Sequence, residues 1–213
     1  MNCLLAVSRL YVFAAFYNSV LTLFAWWCYA GRFSLLMDPL SWLGKATTDE
    51  GLANTPAALL FGAGLLFNMY VWKKFMAETA KCRAGRIWPA RTLQWFVFYG
   101  FFFMAFPCDV FVVLHSIGGG LLVGGLWALA TMFIYYARDY IGRLRHLLMH
   151  GILHLTTLYC FYHFVLDTPL KGFSQKPLIL AIVLETGIIL NELLQAYYGR
   201  GLVAMAFTHS YKY

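Results

Sequence analysis

TLQWFVFYGFFFMAFPCDVFVVLHSIGGGLLVGGLWALATMFIYY, residues Thr92–Tyr136, carries a single charged side chain, Asp109. As one straight helix it would run about 68 Å, more than twice the roughly 30 Å hydrocarbon core of a bilayer. Arg91 precedes it and Arg138 follows it, so both ends belong on one side of a membrane and the stretch must be a helical hairpin. Two places suit the turn: Pro107-Cys108-Asp109, which leaves arms of unequal length, and Ser116-Ile117-Gly118-Gly119-Gly120, which balances them better. Either one puts Asp109 and His115 toward the end of the bundle that holds the turn.

Four more apolar runs flank this hairpin: Leu10–Tyr29, Ala57–Trp72, Leu147–Leu166 and Pro177–Tyr198. A transmembrane helix needs roughly 20 apolar residues, so the expectation is an all-α, polytopic integral membrane protein with six transmembrane helices. With 62% hydrophobic and 12% charged residues, little of the chain remains for a soluble region. Residues 1–213 therefore read as a single six-helix domain.

The net charge of +7 is best read by position. Twelve of the 16 Lys and Arg residues fall on one side of the expected membrane: Arg9, Lys73, Lys74, Lys81, Arg83, Arg86, Arg91, Arg138, Arg143, Arg145, Arg200 and Lys212. Arg32, Lys45, Lys171 and Lys176 fall on the other. The positive-inside rule makes the first side cytoplasmic and places both termini there. Charge spent on topology leaves no argument for a nucleic-acid partner. The chain is compact and no Asn is followed by the x-Ser/Thr of a glycosylation acceptor, which favours a bacterial cytoplasmic (inner) membrane. Five cysteines without a CxxC spacing indicate neither a disulfide framework nor a thiolate metal site.

The largest polar segment follows the first helix and contains Asp38, Pro39, Lys45, Asp49, Glu50 and Asn54. Within it, Phe33–Gly44 mixes apolar residues with Asp38 and suits the interface, with Trp42 at headgroup level. In the fourth expected helix, Gly120 and Gly124 form a small-xxx-small pair of the kind that lets helices cross closely.

Two groups of residues are candidates for chemistry. His146, His150 and His154 recur every four residues and share one helix face, drifting about 40° per step. On one face of the last helix, Glu192 lies near the level of His150 and Glu185 near His154 or slightly further out, with Asn68 and Asn191 nearby and Arg9 available to pair with Glu192. His146 adjoins Arg143 and Arg145 and belongs to the basic rim. Polar groups inside a membrane count as functional candidates, and His150 and His154 suit a haem or quinone-linked redox or proton-transfer role. The second group is Ser41, Asp109, His115 and His163, on the outer side. One Asp and two His make a candidate ligand set for a divalent metal that activates water, which gives a membrane-embedded hydrolase as the corresponding reading. Their spacing forms no diagnostic motif, and no P-loop, GxSxG, HExxH or dinucleotide fingerprint is present.

The segments PLSWLG (Pro39–Gly44) and FPCDVFVVLHSIGGG (Phe106–Gly120), with Asn54 before the second helix, resemble the six-helix superfamily of the damage-regulated autophagy modulators and its bacterial branch. The matching positions are Ser41, Gly44, Asn54, Phe106, Pro107, Asp109 and His115. The resemblance implies six helices, cytoplasmic termini and roles in lipid handling or membrane regulation, but no reaction. Together with the absence of a catalytic signature, it favours a lipid-interacting or accessory subunit over an enzyme. Membrane lipids and a membrane-protein partner or second copy are then the expected partners, with no cofactor. A divalent metal or haem b belongs to the alternative readings.

Overall fold

The computed structural model describes residues 3–81 and 91–199, with only the backbone of residues 197 and 198. Seven α-helices appear among them: α1 Cys3–Trp27, α2 Thr55–Lys81, α3 Arg91–Met104, α4 Val112–Tyr136, α5 Arg138–Ile141, α6 Arg143–Val165 and α7 Lys171–Tyr198. A 3-10 helix, Leu40–Gly44, lies in the loop after α1. The described residues contain no β-strand; a lone bridge joins Thr47 to Ala53. This is an all-helical protein in which α1, α2, α4 and α7 are long and apolar enough to cross a membrane.

The other two expected spans differ from these four for separate reasons. Helix α3 has 14 residues, about 21 Å at 1.5 Å per residue. Helix α6 has the length, with 23 residues, but Arg143, Arg145 and three His dilute its N-terminal half.

The hairpin turns at Pro107-Cys108-Asp109. Helix α3 ends at Met104, and the Pro107 carbonyl accepts from Val110 N at 3.3 Å and Phe111 N at 2.9 Å before α4 begins. The glycine stretch lies inside α4 and makes no turn. Its use in packing also differs from the expected one. Cβ atoms built on Gly120 and Gly124 would meet nothing within 4 Å. The close crossing uses Gly118 and Gly125 instead, with Gly100 on α3. A Cβ on Gly100 would lie 2.6 Å from Leu122 N, one on Gly118 2.7 Å from Met104 N, and one on Gly125 2.8 Å from Val97 Cγ2. The reason is helix phase. Two residues advance about 200°, so Gly120 faces away when Gly118 faces α3.

Helix α4 packs on α3, α6 and α7, and α1 packs chiefly on α2. The larger core cluster joins Val7 of α1, Phe133 and Ile134 of α4, Met149 and Leu153 of α6, and Ile189 and Leu190 of α7. Large apolar side chains also point outward from every long helix, including Phe16, Leu59, Val113, Leu155 and Leu180. Such a surface belongs against lipid. Where α1 meets α2, Asn18 and Asn68 exchange amide hydrogen bonds of 3.1 and 2.7 Å.

Among the cysteines, Cys28, Cys108 and Cys160 are free thiols. Cys3 is disulfide-bonded, against the expectation from spacing alone. Arg83, Arg86, Arg200 and Lys212, counted in the charge asymmetry, lie outside the described residues.

Candidate functional site

The outer group is built on the first loop and the α3–α4 turn. Asn54 is fully buried and serves three segments at once. Its Oδ1 accepts from Ala30 N at 3.2 Å, and its Nδ2 donates to Leu43 O at 3.3 Å and Lys45 O at 2.9 Å. Asp109 reaches across from the turn. One carboxylate oxygen accepts from Ala46 N at 2.8 Å and the other from Thr47 N at 2.9 Å. Limited burial pushes this carboxyl upward, but the backbone donors outweigh it and hold Asp109 below its ordinary range. The Cys108 thiol donates to Ser41 O at 3.4 Å. Burial first, then the Asp109 charge, pushes that thiol up to about 11. His115, buried in the first turn of α4, pairs through Nδ1 with Phe106 O at 2.9 Å and so ties the helix start to the turn. A Cβ on Gly44 would lie 2.6 Å from the Phe61 ring.

The positions that carry the sequence resemblance thus gather in one assembly, held mainly by hydrogen bonds to backbone. His163 stands apart from it. Its Nδ1 lies 2.5 Å from Thr168 Oγ1 at the C-terminal end of α6, beside the Asp167–Lys171 ion pair. Among the described residues no three His, Cys, Asp or Glu side chains group so as to hold a metal ion. Asp109, His115 and His163 therefore do not form the single ligand set that their types suggested.

Trp42, expected at the interface, has Lys45 Nζ 3.7 Å and Lys171 Nζ 5.7 Å from its ring centroid. It sits in the 3-10 helix, and the rest of Phe33–Gly44 forms turns, with Ser34 N donating to Asp38 Oδ2 at 2.7 Å. Gln175 of α7 accepts from Leu40 N at 3.1 Å, which ties the loop to the last helix.

The inner group is arranged differently. The His ladder forms as its spacing requires: the rings of His146 and His150 are 4.6 Å apart and those of His150 and His154 are 5.5 Å apart. Its neighbour is Trp127 of α4, whose Nε1 donates to His154 Nδ1 at 3.1 Å. That bond fixes the neutral ring of His154 as the Nε2–H tautomer. Glu192 pairs with Arg145 across α6 and α7, while Arg9 points outward from α1. The expected Arg9–Glu192 pair is not made, because Arg145 on the adjacent helix is nearer.

Glu185 meets neither His nor Arg. It is 4% exposed, and neither carboxyl oxygen has a hydrogen-bond partner. His146 Nε2 and His115 Nε2 are likewise buried without a partner. Sequence reasoning missed Trp127, Asn18 and Tyr11, whose hydroxyl donates to Val183 O. Asn18 was discoverable as the one amide in the first apolar run. Nothing in the sequence ties Trp127 to His154.

The fold defines an all-helical protein with four helices long and apolar enough to span a membrane. No protein-family model, curated protein sequence or solved structure matches the chain.

Proposed function

We propose that this chain is a six-helix integral membrane protein of the bacterial cytoplasmic membrane that works through lipid and protein contacts, as an accessory or regulatory subunit. The observation that carries this reading is the use of the outer polar residues. Asp109, His115 and Asn54 are engaged with backbone groups of the loop and the turn, so they act as fasteners. The outward apolar side chains supply the lipid-facing surface, and the face of α4 around Gly120 and Gly124 is an open part of it. The six-span count is supported by the antiparallel α3–α4 pair and by the exposed apolar stripe Leu144, Leu148, Leu155, Leu158 and Tyr162 along α6. The charge asymmetry sets the orientation, with α5 and the start of α6 inside.

Native mass spectrometry of the chain extracted in mild detergent tests the reading. Retained lipid, a co-purifying subunit or a second copy is expected. A lipid-free, partner-free monomer with metal-dependent hydrolytic activity would overturn it. Orientation is checked with single-cysteine reporters in a background lacking the native cysteines. An impermeant maleimide should label S34C on intact cells, and D139C only after permeabilisation. The reverse pattern would invert the topology and would suit the Cys3 disulfide, since disulfides are rare in the cytosol.

A further inference from the structure

Glu185 is the buried titratable group that neither the fold nor the proposed function uses. A carboxylate taken out of water without donors or a counter-charge is very costly, whereas the neutral acid is tolerated far better. Glu185 has neither donors nor a counter-charge. Its surroundings are set by the elements packed on α7, namely α1, α4, α5 and α6.

Those elements bring few charges toward Glu185. Helix α4 has no ionisable residue between His115 and Tyr135. Helix α1 brings Tyr11, whose hydroxyl is already engaged with Val183 O, and Arg9, which is exposed. The charges of α5, Arg138 and Asp139, face each other at 3.7 Å and are exposed. On α6, Arg145 is taken by Glu192. What remains at the level of Glu185 is the histidine ladder. The Cys160 thiol against the Ser174 hydroxyl and Arg145 against Glu192 fix the antiparallel register of α6 and α7. Between those two points Glu185 falls level with His150.

We propose that Glu185 is a proton-binding site in the interior of the helix bundle, carried as the neutral acid and exchanging its proton with the inner aqueous side along His146 and His150. The ladder has the required form. It begins at the basic rim beside Arg145, and its rings follow one another at 4.6 and 5.5 Å. His146 Nε2 is buried and unengaged. Trp127 occupies His154 Nδ1 and so closes the column above His150. Imidazoles take up and release protons near neutral pH, which makes a histidine column a suitable relay to a deeper carboxyl. The proposal stands apart from the lipid and subunit reading, because it requires neither lipid nor a partner.

The test uses the full chain in lipid nanodiscs and reads the carboxyl directly. Infrared spectra should contain the C=O stretch of a protonated carboxylic acid at neutral pH, and E185Q should lose it. The hydrophobic reagent dicyclohexylcarbodiimide should add to Glu185: the acid O–H adds across one C=N bond, and the O-acylisourea rearranges to a stable N-acylurea of the added mass. Peptide mass spectrometry should find that adduct on Glu185 and none there in E185Q. If E185Q fails to fold, E185D, which keeps a carboxyl, should shift the band and retain an adduct. Wild-type protein with no protonated-carboxyl band, or with the adduct only on Glu192, would overturn the site. In H146Q/H150Q the band should persist while its deuterium shift after transfer to heavy water is slowed. An unchanged exchange rate would overturn the histidine route.

Discussion

The two ends of this bundle treat polar side chains in opposite ways. At the end that holds the α3–α4 turn, Asn54 and Asp109 direct their polar atoms to backbone groups of a loop that would otherwise be open. In the inner half, Glu185 and His146 keep buried polar atoms unengaged, and three imidazoles are packed mainly against one another. Buried polar atoms are ordinarily satisfied. His115 Nε2 is also left without a partner, but its Nδ1 is tied to Phe106 O, whereas both carboxyl oxygens of Glu185 are unengaged. That difference reads as construction at one end and a site at the other. The outer end looked the more enzyme-like by residue type, with an Asp and two His. Partners, and not residue types, separate the two ends.

The largest expected effect falls on the hairpin that carries the outer assembly. In G100A the new methyl must displace the Leu122 backbone, since its built position is 2.6 Å from the amide nitrogen and 2.7 Å from Cα. Overpacking of this kind costs about 3 kcal/mol. The matched control is G124A, which has open space at its Cβ and should be neutral or gain up to about 1 kcal/mol in helix propensity. Thermal unfolding in detergent, followed by tryptophan fluorescence, should separate the two clearly. Equal melting temperatures would remove the close α3–α4 crossing from the account.

N54A comes next. It strands the Ala30 N–H and the Leu43 and Lys45 carbonyls in a buried spot, at a cost of about 2 kcal/mol. Limited proteolysis should show the cuts concentrated in residues 30–54. Uniform sensitivity along the chain would mean that Asn54 supports the whole bundle and not the loop.

Asp109 gives the outer end a pH dependence whose sign is fixed by its hydrogen bonds. Its folded-state pKa lies below the unfolded value of about 3.9. The clamp on Ala46 and Thr47 is therefore fully present above about pH 4 and is lost as pH falls through the lower folded value. Protease resistance of the loop should hold from neutral pH down to that window and then drop. D109N should resemble the acid wild type at every pH, because one amide nitrogen then faces a backbone donor. Acid loosening that survives in D109N would move the titration to another carboxylate.

Much of this contrast was legible from residues alone, and the limits have physical causes. Asp109 was identifiable as the lone charge in its stretch, and that placed it near a turn. Its partners were not, because they are backbone N–H groups 62 and 63 residues away, and backbone donors leave no mark on sequence. The His ladder followed directly from helical spacing. The glycine crossing was half legible: the stretch was right, but Gly120 and Gly124 are separated from Gly118 and Gly125 by helix phase, which apolar periodicity cannot set when every face of the helix is apolar. Depth alone makes Arg9 available to Glu192, and two residues at one depth on different helices cannot be ranked without the packing order.

The smallest expected effect tests whether the inner contrast is confined to Glu185. Arg145 and Glu192 form an ion pair with both side chains partly exposed, 55% and 25%, and exposed pairs contribute about 0 to 1 kcal/mol. R145A should lower the melting temperature slightly, and the deficit should shrink in high salt as screening weakens the pair in the parent protein. E192Q should match it, and the double variant should lose no more than either single one. Neither change should touch the protonated-carboxyl band assigned to Glu185. If R145A alters that band, the arginine field reaches deeper than its pairing with Glu192 implies. The two carboxyls of α7 would then act as one coupled group.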